Sequence, residues 1–187
     1  MLRKNIELLK FIESYYGKNN SGITLKTFTQ GDKIIAQGNK INFVYIIKEG
    51  ISKCYITEEN GKDYLFEFLG AGEIVGEIEA IKNMQSLCSI EALTYLSVFA
   101  IPKTIFLELI DKQQGFALLI LQTLSTRLIQ TSSRSSYQQL YTLEHGIAKL
   151  LQLQKDSNLK ITKDDMAAYL GISVRSFNRV FKQIKEF

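Results

Sequence analysis

The sequence predicts an α+β chain: an antiparallel β-barrel first, then a long helix, then two short helices crossing at a glycine turn. Three observations predict it. Short β-prone runs separated by Gly, Asn and Asp fill the stretch before Pro102, the chain's single proline. Glycine becomes scarce after Pro102, and apolar residues recur at three-four spacing. A capped helix, a Gly turn and a second capped helix then close the chain.

Residues 2–16, with Ile6, Leu9 and Ile12 apolar, read as one helix ahead of the barrel. The strand-like runs are 25–28, 34–35, 43–47, 53–56, 64–69, 88–92 and 96–101. Their turn signals include Gly31-Asp32, Gly38-Asn39, Glu49-Gly50 and Gly70-Ala71-Gly72. A short helix is expected over 104–110 and a long one over 116–141. Ala117, Leu121, Leu124 and Leu128 space the long helix either for packing on the barrel or for a two-stranded seam between subunits. Periodicity leaves both open. The run 131–136 (Thr-Ser-Ser-Arg-Ser-Ser) is a poor helix interior, because hydroxyls compete for backbone partners. Residues 143–153 form a further amphipathic helix through Ile147, Leu150 and Leu151.

Composition excludes several classes. The 187 residues contain one histidine, His145, outside the barrel, so a His-based metal centre cannot be built there. A barrel metalloenzyme of the cupin type is disfavoured for that reason, and neither a catalytic residue nor a cofactor is expected. Cys54 and Cys88 lie far apart in sequence, show no metal-ligand spacing and read as reduced core residues. The amino terminus mixes charge into its leucines, and no apolar run is long enough for a bilayer. The expectation is a cytoplasmic protein without membrane contact. The formal charge is +4, and its location matters. Residues 1–148 carry 15 basic and 15 acidic side chains; residues 149–187 carry 8 and 4. The whole excess lies in the last segment, as phosphate binding requires.

That segment carries the strongest motif. Thr162 and Asp165 make a capping pair, and Asp164 and Asp165 suit a helix amino terminus. Met166, Ala167 and Leu170 supply a buried face, and Gly171 the turn. Ser173 caps the second helix, whose inward face is Phe177, Val180, Phe181 and Ile184. Arg175, Ser176, Asn178, Arg179 and Lys182 are the candidate DNA-binding residues there. Arg pairs bidentately with guanine and Asn with adenine, while Lys182 is better placed for a phosphate.

Two motifs then resemble the cyclic-AMP receptor protein (CRP/FNR) family over nearly the whole chain. Residues 161–182 (ITKDDMAAYLGISVRSFNRVFK) are similar to its helix-turn-helix, and residues 70–81 (GAGEIVGEIEAI) to its phosphate-binding cassette. The resemblance implies a double-stranded β-helix (jelly-roll) sensor domain over 1–110, a dimerisation helix over 111–141 and a DNA-binding domain over 142–187. It implies a homodimeric transcription regulator on a palindromic operator of double-stranded DNA, with RNA polymerase as a further contact. It also implies an effector pocket at Gly76, Glu77, Ser86, Leu87, Thr131 and Ser132. The family's Arg-Ser pair for a cyclic phosphate is Ser86-Leu87 here, and no arginine lies between Arg3 and Arg127. Cyclic AMP is therefore disfavoured, and the expected effector is an unidentified small molecule. Two cysteines are too few for an iron-sulfur sensor. The recognition helix begins Val174-Arg175 where many members have Arg-Glu, so the half-site should differ from theirs. The family's β-hairpin wing has no counterpart before Phe187, which reads as a truncated or wingless form. A cyclic-nucleotide-binding module acting on a protein partner is the alternative, and it leaves the helix-turn-helix unexplained.

Overall fold

The computed structural model describes residues 2–17 and 21–185. In chain order the elements are β1 (Leu2–Arg3), α1 (Ile6–Tyr16), β2 (Thr24–Phe28), β3 (Lys33–Ile35), β4 (Phe43–Glu49), β5 (Ser52–Thr57), β6 (Asp63–Leu69) and β7 (Ile74–Val75). Then come α2 (Glu77–Lys82), β8 (Ser89–Ala92), β9 (Leu96–Pro102), α3 (Lys103–Lys112), α4 (Gln114–Leu140), α5 (Leu143–Ser157), α6 (Lys163–Leu170) and α7 (Val174–Lys185). The fold is α+β, as the sequence predicts.

The strands form two sheets, ordered β1-β6-β5-β8-β3 and β2-β9-β4-β7. Every pairing between named strands is antiparallel except β1 with β6. Ile47, Leu69, Val75, Ile90 and Val98 fill the space between the sheets. The other face of the β4–β9 pair is also buried. Val44, Ile46, Phe99 and Ile101 pack there on Leu8, Ile12, Phe106, Phe116 and Ile120 from α1, α3 and α4. Burial on both faces explains why residues 96–101 read as a continuous apolar run rather than an alternating one.

One boundary differs from expectation. The helix expected over 2–16 begins at Ile6, because Leu2 and Arg3 add to the sheet beside Phe68 and Leu69. Asn5 then starts α1, its side chain accepting from the Leu8 N–H at 3.0 Å. Apolar spacing does not register a distant strand edge that recruits two residues.

Helices α5, α6 and α7 share a second core of Ile147, Leu150, Ile161, Met166, Ala167, Phe177 and Val180. Tyr55, Leu65 and Phe68 of the barrel belong to the same cluster, so the closing helices are seated on β5 and β6. Phe68 stacks on Tyr169, with ring centroids 5.7 Å apart.

Candidate nucleic-acid interface and barrel pocket

Local chemistry builds the closing helix pair. The Thr162 hydroxyl accepts from the Asp165 N–H at 3.0 Å and donates to the Asp165 carboxylate at 2.8 Å. The other carboxylate oxygen of Asp165 takes Lys53 Nζ at 2.8 Å, tying α6 to β5. Gly171 ends α6 at φ +69°, a conformation that L side chains rarely adopt. Ser173 Oγ then accepts from the Ser176 N–H at 3.1 Å. These caps set where α7 starts, and therefore which side chains it turns outward.

Phe177 and Val180 of α7 are buried, whereas Arg175, Asn178, Arg179 and Lys182 are exposed. Among the described residues none of those three cations forms an ion pair. Three charges and an amide thus share one face of a helix fixed by its opposite face. Ser176 sits apart from them. It is half-buried, and its hydroxyl accepts from the capping Ser173 hydroxyl at 3.0 Å.

The barrel pocket is arranged differently. Gly76, at φ +84°, leads into α2, and a Cβ there would lie 3.3 Å from the Phe43 carbonyl oxygen. The positive φ favours glycine there, and the tight contact adds to that preference. Glu77 follows, 2% exposed. Its carboxylate meets Arg127 Nη1 at 2.5 Å, while Arg127 Nη2 reaches Glu73 at 2.8 Å and the Ile74 carbonyl at 2.5 Å. Burial pushes the Glu77 carboxyl above its usual range, and Arg127 opposes the shift. Burial also works against the Arg127 charge, but Glu77 and Glu73 outweigh it and hold the guanidinium protonated.

A second carboxylate stands beside this pair. Glu79 Oε1 accepts from the Ser86 hydroxyl at 3.3 Å and from the Leu87 N–H at 3.2 Å. These are the positions matching the family's phosphate contacts, and here they hold a carboxylate of the chain itself. Thr131 and Ser132, grouped with this pocket from sequence, are exposed and make no hydrogen bond through their hydroxyls among the described residues. Thr123, Arg127, Arg134 and Gln138 are polar α4 residues that reach the rest of the sensor domain, Gln138 by accepting from the Tyr64 hydroxyl at 3.2 Å. Thr123 accepts from the Asn5 amide at 2.8 Å. Arg134 donates to the Leu65 carbonyl at 2.9 Å, and also to the carbonyls of Phe66 and Tyr169. One side chain of the long helix therefore holds both β6 and the end of α6.

Sequence reasoning does not place Arg127 at the pocket, because the barrel positions that point there end at Leu87, forty residues earlier. The signal was present. Arg127 lies seven residues after Ile120 and four after Thr123, in line with a buried stripe. The apolar positions singled out in α4 divide between the two readings. Leu124 packs into its own core, while Leu118, Leu121, Leu128 and Ile129 are exposed.

The fold and these two sites define a class: a sensor-type β-barrel joined through a long helix to a helix-turn-helix. Residues 25–113 match the cyclic nucleotide-binding domain family. The anaerobic regulatory protein of Haemophilus influenzae is 24% identical over 172 residues, covering 86% of this chain and 66% of that protein. The cAMP-activated global transcriptional regulator CRP of Salmonella typhimurium is 24% identical over 164 residues, covering 82% and 78%. Among solved structures, the c-di-GMP responsive global regulator CLP of Xanthomonas campestris superposes with a TM-score of 0.79 at 18% identity, covering 93% of this chain and 92% of that one. A CRP/FNR-family transcriptional regulator of Thermus thermophilus gives 0.74 at 20%, covering 87% and 86%. Over most of its length the chain is similar to regulators of the CRP/FNR type. It spans about two thirds of the Haemophilus protein's length, and among its described residues no helix is long and apolar enough to cross a membrane.

Proposed function

We propose that the chain is a homodimeric transcription regulator that reads a palindromic DNA site through α7, under an effector other than a cyclic nucleotide. The observation that carries the reading is the outward face of α7: Arg175, Asn178, Arg179 and Lys182 exposed above a buried Phe177. Within the named family, an N-terminal sensor over 1–110 and a DNA-binding domain over 142–187 would communicate through the helix at 111–141. A groove of about 410 Å³ runs along Gln114, Ala117, Leu118 and Leu121. With exposed Leu128 further along, it gives α4 the apolar seam that a second copy's α4 would cover.

The pocket chemistry supports the negative half of the proposal. A cyclic phosphate at Ser86 and Leu87 would have to displace the Glu79 carboxylate, and it would meet an Arg127 already committed to Glu73 and Glu77. Selection of binding sites from a random duplex library tests the central claim. The expected product is a two-fold symmetric consensus whose affinity falls steeply with salt. Enrichment of no sequence, with equal binding to every duplex, would defeat it. Calorimetry with cyclic AMP and cyclic GMP tests the effector clause, and submicromolar binding would overturn it. The two remain separable, since a DNA-reading dimer that also bound cyclic AMP would lose only the second.

A further inference from the structure

The sequence contains two cysteines, widely separated, and the fold brings them together. Strands β5 and β8 pair with Cys54 opposite Ile90. Cys88, two residues before Ile90, therefore lies diagonally across from Cys54 on the same face of the sheet. Both pack into the core between the sheets, and both are free thiols. Each thiol perturbs the other's ionisation, the Cys54 thiol pushed up and the Cys88 thiol pushed down. Cys54 is buried, whereas Cys88 is only partly so and precedes the first residue of β8, in the bend at 87–88. Its backbone lies outside the β5–β8 ladder, so forming the bond requires the bend at 87–88 to move toward β5. Among the described residues no third Cys, His, Asp or Glu joins them as a metal-holding group.

We infer that Cys54 and Cys88 form a peroxide-reactive dithiol, in which Cys88 is the attacked thiol and Cys54 the resolving one. The Cys88 sulfur attacks one oxygen of a hydroperoxide; the O–O bond breaks, leaving Cys88 sulfenic acid and releasing water (or an alcohol). The Cys54 sulfur then displaces the sulfenic oxygen as a second water, forming the S–S bond. Two thiols lose two electrons and two protons, and the peroxide takes them up. Cys88 is the more exposed of the two and therefore the thiol a peroxide reaches first, which matches the two roles.

The position gives the modification a consequence. Leu87, next to Cys88, donates its N–H to Glu79, and Ser86 bonds both Glu79 and the Cys88 carbonyl. Closing the disulfide pulls on the bend that holds Glu79, hence on α2 and the Glu77–Arg127 contact with α4. The thiol chemistry does not depend on the DNA-binding proposal and is tested without DNA.

The full chain is treated with hydrogen peroxide, denatured, alkylated with N-ethylmaleimide and weighed. Two maleimides are expected before treatment and none after, with a mass two hydrogens below the reduced chain. A monomeric band on a non-reducing gel and return of both alkylation sites with dithiothreitol complete the expected result. In Cys54→Ala, dimedone should trap a sulfenic acid at Cys88; in Cys88→Ala, Cys54 should stay unmodified. Far-UV circular dichroism checks that the variants fold, and the wild-type measurement stands without them. Two thiols still alkylatable after treatment would overturn the inference, as would a disulfide joining two chains. Sulfenic acid trapped on Cys54 in Cys88→Ala would overturn the assignment of roles.

Discussion

Arg127 in the barrel and Arg179 on α7 carry the same guanidinium into opposite circumstances. Arg127 is enclosed, and two carboxylates and a carbonyl accept from its Nη1 and Nη2. Arg179 stands in solvent and forms no ion pair among the described residues. A buried arginine whose charge is matched by carboxylates holds structure together and gains little from a new anion, although the Arg127 Nε–H has no partner among the described residues. An exposed, unmatched arginine on a rigid helix keeps its full bidentate capacity for a ligand. The same residue type is a fastener in one region and a reader in the other. What decides is which neighbours the fold supplies.

The largest expected effect breaks the fastener. Arg127→Met leaves Glu73 and Glu77 buried without a counter-charge and should cost about 3–5 kcal/mol of stability in urea unfolding. The pH dependence sharpens the point. Glu77 is raised in the folded state, so the folded chain binds that proton at a higher pH than the unfolded chain does. Such a group's contribution is present at acid pH and is lost as pH rises through its folded value. Without Arg127 the upward shift grows. The variant should therefore lose more stability than wild type between the ordinary carboxyl range and neutrality. Equal losses in the two proteins would show that Arg127 does not govern Glu77.

The reader comes next. Arg179→Ala should weaken specific DNA binding by roughly 1–3 kcal/mol and relax base choice at one position of the half-site. Stability should move by no more than about 0.5 kcal/mol, since the side chain is exposed. Anisotropy titrations with the selected site and its point variants measure the first; urea unfolding measures the second. Lys182→Ala should instead lower affinity for all duplexes alike and reduce the salt slope by about 1. If both substitutions gave the same uniform loss, α7 would be a charged surface and not a reading head.

How legible each region was follows from the same contrast. The α7 face could be read from residues 162–184 because caps, turn and amphipathic spacing are all local. The barrel's strands could be read because Gly, Asn and Asp mark their ends. The pocket could not. Glu73 comes from the turn before β7, Glu77 and Glu79 from α2 and Arg127 from the distant α4, and no spacing rule joins residues fifty positions apart. Cys54 and Cys88 read from sequence as separate reduced core residues for the same reason. Their separation in sequence concealed a pairing that only the β5–β8 register brings about.

The smallest effect lies where the two regions meet. Thr162→Ala removes the cap of α6 and should cost about 1 kcal/mol. The cap is more than local, however, because Asp165 answers Thr162 with one oxygen and Lys53 of the barrel with the other. Losing the hydroxyl frees the carboxylate to turn, and Lys53 keeps Glu91 at 3.1 Å as its remaining anion. A double-mutant cycle with Lys53→Met should therefore give a coupling of about 0.5 kcal/mol or more, the scale found for residues in one network. Additive losses would mean that the helix pair is capped independently of the barrel, and that the Lys53–Asp165 contact transmits nothing between them.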